Sequence, residues 1–110
     1  MLTFVETATF THLITGLVSD DDYAKFQREL AASPDKGDLL MGCGGVRKVR
    51  MAASGRGKSG GARVLYLHLS HRGVIYLLYI FTKGNAANLS AEGKKAMREL
   101  AQQIKNQPHR

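Results

Sequence analysis

The chain has 110 residues, 44% of them apolar and 23% charged, and 16 Lys or Arg against nine Asp or Glu leave a net charge of +7. This composition predicts one folded domain over 1–110 with a modest core, excludes wholesale disorder, and favours a polyanionic partner over a small neutral ligand. One cysteine excludes an intramolecular disulfide, no apolar run nears the ~20 residues of a membrane span, and Met1 to Glu6 has no signal-peptide pattern; a cytoplasmic protein without membrane contact is expected.

In chain order, Leu2 to Val5 predicts a short strand. Phe10, Leu13, Ile14 and Leu17 recur at helical spacing and predict a helix over 7–17, with Gly16 near its end. Ser19 is an N-cap, and Asp20, Asp21 and Asp22 place negative charge in the first turn, where the helix dipole favours it. Tyr23, Phe26, Gln27 and Leu30 carry this second helix from 20 to 32, up to Ser33-Pro34. The two helices are expected to form an antiparallel pair.

Gly42-Cys43-Gly44-Gly45 marks a turn, after which the period becomes 2. Val46 to Ala52 alternates as a strand, with Lys48 and Arg50 on one face and Val49 and Met51 on the other. A basic Gly-rich loop, Ser54 to Gly61, follows. Ala62 to Leu69 and Val74 to Phe81 predict a β-hairpin closed by Ser70-His71-Arg72-Gly73. Tyr76 and Tyr79 have opposite parity there and should face opposite sides. Ser90 caps a last helix whose apolar stripe is Met97, Leu100, Ala101 and Ile104. The predicted fold is α+β, in the order β-α-α-β-β-β-α, with a small antiparallel sheet and its helices packed on one side.

Charge is distributed unevenly along this layout. Residues 1–38 hold seven acids and three bases, whereas Leu39 to Ala91 hold eight bases and no acid. Within that block Arg47, Lys48 and Arg50, then Arg56 and Lys58, then Arg63 lie on two consecutive strands and their connecting loop. Strand-borne cations hold fixed mutual positions, which a reacting phosphate requires. A solvated sheet face explains an ordinary basic run about as well, but such a face mixes both signs.

Other motifs are weaker. Gly57-Lys58-Ser59 suggests a P-loop, but Ala52 stands where that pattern needs Gly, and a strand follows instead of a helix. His68 and His71 straddle a turn with no Cys or carboxylate cluster, so no metal site is expected. Cys43 sits among glycines without a His partner signature.

Gly44 to Arg50 and Gly60 to Tyr66 resemble the RelE/HigB superfamily of bacterial toxins, the HigB branch most closely. Gly37-Asp38, Ile75 to Lys83, and Leu89-Ser90 before a Lys-rich helix agree with it. The resemblance runs from about residue 20 to 105. It implies a small curved sheet and ribosome-dependent cleavage of messenger RNA by the ribose 2′-OH, with no metal or cofactor. By position it implies Lys48, Arg50, Arg63 and Lys83 as catalytic. Arg63 and Arg50 would clamp phosphate, Lys48 would move a proton, and Lys83 would make a secondary contact. Arg47, Arg56 and Lys58 are expected on RNA backbone phosphates, and Tyr79 on a base.

The resemblance further implies a neighbouring HigA-like antitoxin with a helix-turn-helix domain, through which alone the pair would contact operator DNA. Two departures stand out. Gly84-Asn85-Ala86 replaces the acidic residue many HigB-like relatives carry after the equivalent of Lys83, and no tyrosine follows Tyr79. Two other functions fit the same basic sheet: a non-catalytic nucleic-acid-binding protein, and a protein receiving an acidic peptide.

Overall fold

A computed structural model describes residues 2–52, 61–82 and 90–108. β1 (Thr3–Glu6) leads into α1 (Ala8–Ile14) and α2 (Asp20–Ala32). β2 (Asp38–Leu39), β3 (Arg47–Met51), β4 (Ala62–Leu69) and β5 (Val74–Thr82) follow, then α3 (Ala91–Asn106). The strands form one sheet in the order β1-β5-β4-β3-β2. The α+β class is as expected. The sheet is mixed, however: β1 joins parallel to β5, while every other pair is antiparallel. The two-residue β2 is an element the period-2 signal is too short to reveal.

Local chemistry sets the helix starts. The Thr7 hydroxyl accepts the Phe10 N–H at 3.1 Å and donates to the Leu78 carbonyl at 3.0 Å, joining α1 to β5. Ser19 accepts the Asp22 N–H at 3.1 Å, and Ser90 accepts the Gly93 N–H at 3.0 Å. Each satisfies an N–H that the helix leaves without an internal partner. α1 stops at Ile14, short of the expected 17, because the chain turns through Gly16 at φ +86°, a conformation that favours glycine.

The expectation of helices on one side holds for α1 and α2. Phe10, Ile14, Phe26 and Leu30 pack against Val49, Met51, Val64, Ile75, Leu77 and Ile80 on one sheet face. α3 packs on the opposite face, where Ala101 and Ile104 meet Val46, Leu65, Leu67, Leu69, Leu78 and Phe81. β4 and β5 are apolar on both faces, and only a cover on each side removes that surface from water.

One irregularity redirects side chains. The β4–β5 register pairs Leu65 with Tyr79 but Tyr66 with Leu77, so Leu78 is an extra residue, a β-bulge. Tyr76 and Tyr79 therefore both pack on the α3 face, correcting the parity expectation.

Candidate functional site

β3 and β4 bring together three of the predicted residues. Register places Lys48 beside Leu65, Val49 beside Val64 and Arg50 beside Arg63. Leu65 belongs to the α3-side core and Val64 to the other, so Lys48, Arg50 and Arg63 share the α3 face. Arg63 in turn pairs with Phe81, and Leu65 with Tyr79. The face thus carries a row Arg50, Arg63, Phe81 next to a row Lys48, Leu65, Tyr79. Tyr79 is half-buried, with its ring centroid 6.0 Å from that of Phe81.

Arg50 and Arg63 are an unfavourable pair in isolation. Residues directly opposite in an antiparallel ladder hold their Cβ atoms about 4.5–5.5 Å apart, and like charges there repel. Among the described residues the ion pairs are those of Asp35 with Arg47 and His68, so no carboxylate relieves the repulsion. Arg63 Nη1 is also buried without a hydrogen-bond partner among them. A buried charged donor with no acceptor is costly, and an anion placed between the guanidinium groups would offset both terms.

Arg47 is not part of this cluster. It pairs with Tyr66, on the α1–α2 face, and its Nη1 donates to the carbonyls of Asp35 at 3.1 Å and Gly37 at 2.7 Å. Its Nε lies 3.8 Å from an Asp35 carboxylate oxygen. Tyr66 donates to the Pro34 carbonyl at 2.7 Å and accepts the Gly37 N–H at 3.0 Å, and burial pushes its hydroxyl pKa up. His68 Nδ1 sits 2.9 Å from Asp35 Oδ1, a hydrogen bond that holds the Asp35 carboxyl below its ordinary pKa. Arg47, Tyr66 and His68 thus fasten the 33–37 segment that delivers the chain to β2. Arg56 and Lys58, between β3 and β4, and Lys83, after β5, lie outside the described residues, as does the Gly57-Lys58-Ser59 motif.

A family profile described as the RelE toxin of the RelE/RelB toxin–antitoxin system matches residues 7–109, nearly the whole chain. The chain belongs to the RelE toxin family. Among solved structures, isolated E. coli RelE superposes with a TM-score of 0.59 at 16% identity, covering 91% of this chain and 99% of that one. The intact E. coli RelBE toxin–antitoxin complex gives 0.56 at 17% identity, over 73% of this chain and 94% of the matched chain. At that identity the likeness concerns the fold: a five-stranded open sheet with three helices.

Sequence reasoning on this RelE-family chain missed two arrangements. The Asp35–His68 contact joins residues 33 apart in sequence, and no local pattern signals it. Asp38 stands in register with Lys48 and therefore on the basic face. The signal available for it was its place as the last acid before the acid-free stretch.

Proposed function

We propose that this protein is the toxin of a type II toxin–antitoxin pair and a ribosome-dependent messenger endoribonuclease. The ribose 2′-OH attacks the adjacent phosphate, the 5′-oxygen leaves, and translation stops. The observation that carries the reading is the Nη1 of Arg63, buried and without a hydrogen-bond partner among the described residues, directly across the ladder from Arg50. Two guanidinium groups fixed on neighbouring strands can take the extra negative charge of a pentacoordinate phosphorus. Lys48, one row away, is the proton mover, and Tyr79 in the same row offers a half-buried ring to a base. Arg56, Lys58 and Lys83 complete the RNA contacts in this reading, and Arg47 is left out of it.

A HigB-type toxin with a HigA-like antitoxin is the finer assignment, supported by the resemblance of Gly44 to Arg50 and Gly60 to Tyr66 to that branch. Clustering of three cations on two adjacent strands favours cleavage over the non-catalytic reading, which needs a strip of cations to track a backbone. Induction in bacteria tests it. The expected result is growth arrest with messenger cut to 5′-hydroxyl ends, and about a 10²–10³-fold loss of cleavage in Arg63→Ala with the fold kept. Normal growth on induction of folded protein would overturn it.

A further inference from the structure

Asp38 is the last acidic residue before the acid-free stretch of the sequence, and the fold sets it directly opposite Lys48 on β3. Leu40, two residues further on, packs into the α3-side core, which confirms the face. Asp38 is exposed and makes no ion pair with Lys48, so its carboxylate is not tied up by that neighbour. Of the described strand residues only Glu6 and Asp38 are acidic. Glu6 is bound to Thr11 and Tyr23 beside the first helix.

The backbone at this point is held firmly. Gly37, just before Asp38, donates its N–H to Tyr66 and offers its carbonyl to Arg47. A Cβ there would lie 2.9 Å from the Lys48 carbonyl oxygen, so the chain reaches Asp38 in close contact with β3. These contacts lie on the α1–α2 side and leave the Asp38 side chain clear of them.

Attack by a 2′-OH needs a proton acceptor, and guanidinium and ammonium groups are donors only. An ammonium such as that of Lys48 carries three N–H donors, which suits it to giving a proton. Resting on the nuclease reading above, we propose that Asp38 is the general base of this protein. Its carboxylate takes the 2′-OH proton as the 2′-oxygen bonds to phosphorus. The P–O5′ bond breaks, and the 5′-oxygen takes a proton from the Lys48 ammonium. The products are a 2′,3′-cyclic phosphate and a 5′-hydroxyl. Proton exchange with water then restores the Asp38 carboxylate and the Lys48 ammonium.

The test uses the full chain on ribosomes programmed with messenger. Asp38→Asn is expected to cleave about 10²–10⁴-fold more slowly than wild type. It should bind messenger carrying a 2′-deoxy sugar at the scissile position as tightly as wild type or more so, since one repulsive charge is gone. The wild-type rate should fall on acidification with uptake of one proton, and the variant should lack that limb. Cleavage by Asp38→Asn within about threefold of wild type, or a rate loss matched by an equal loss of 2′-deoxy messenger binding, overturns the assignment. If wild type cleaves, Arg63→Ala does not and Asp38→Asn does, only the Asp38 role fails. If wild type cleaves nothing, the nuclease reading fails and takes this with it.

Discussion

The Tyr66 hydroxyl accepts the Gly37 N–H at 3.0 Å while donating to the Pro34 carbonyl at 2.7 Å, so one buried phenol on β4 fixes the approach to β2. Tyr66→Phe keeps the ring and deletes both bonds, leaving a buried N–H and a carbonyl without partners. The expected loss is about 1–3 kcal/mol, read from urea unfolding. Gly37→Ala should cost at least as much, because its Cβ would lie 2.9 Å from both the Lys48 carbonyl and the Tyr66 ring. Since Gly37 precedes Asp38, this variant should also lose cleavage beyond its loss of stability.

A stability gain is expected at the site itself. Among the described residues, no carboxylate pairs with Arg50 or Arg63, which face each other, and the buried Arg63 Nη1 has no acceptor. Arg50→Thr removes the repulsion and places a strand-favouring residue in β3. Thermal unfolding should show a protein as stable as wild type, or more stable by up to about 1 kcal/mol, while cleavage is lost. Inorganic phosphate should raise the melting temperature of wild type and leave Arg63→Ala unmoved. A destabilised Arg50→Thr, or equal phosphate effects on both proteins, would count against a preformed anion site.

What the sequence made legible follows from how local each signal is. Ser19 and Ser90 announce their helices because a cap acts over three residues, and both hydroxyls accept the expected N–H. The alternation of β3 correctly separates Lys48 and Arg50 from Val49 and Met51, since strand parity is a property of one strand. Strand parity alone sets Tyr79 and Tyr76 on opposite faces, but the bulge at Leu78 shifts the count by one, and a one-residue slip exchanges faces. The stripe on α3 shows that it buries a face, but not which side of the sheet receives it. Arg47 reads as one more cation of a basic run. Only the tertiary fold reveals that its partners come from the 35–37 segment.

Arg72 is another cation of the acid-free block that the fold uses structurally. From the β4–β5 turn it donates to the carbonyls of Ile104 at 3.3 Å, Lys105 at 3.0 Å and Gln107 at 3.1 Å, capping the end of α3. A cation at a helix C-terminus also complements the dipole. Arg72→Met should cost about 1–2 kcal/mol and speed amide exchange mainly in the last turn of α3. Cleavage should be unchanged at temperatures where the variant stays folded. A loss confined to RNA binding, with α3 exchange unaltered, would instead make Arg72 a nucleic-acid contact.

Acidification should act through Asp35. The His68 hydrogen bond, with smaller help from the charges of His68 and Arg47, holds its carboxyl below the ordinary value of about 3.9. A carboxyl depressed in the folded state releases its proton more readily there than in the unfolded chain. Its contribution is therefore complete above the unfolded value and is lost as pH falls through the folded one. The Asp35 side chain is 66% exposed, so water screens the interaction and the effect is modest. Asp35→Asn should accordingly be less stable than wild type at neutral pH, with the two stabilities converging below about pH 4. Urea midpoints measured from pH 7 to pH 3 give the comparison. Parallel curves across that range would show that the Asp35–His68 contact does not hold the 33–37 segment in solution.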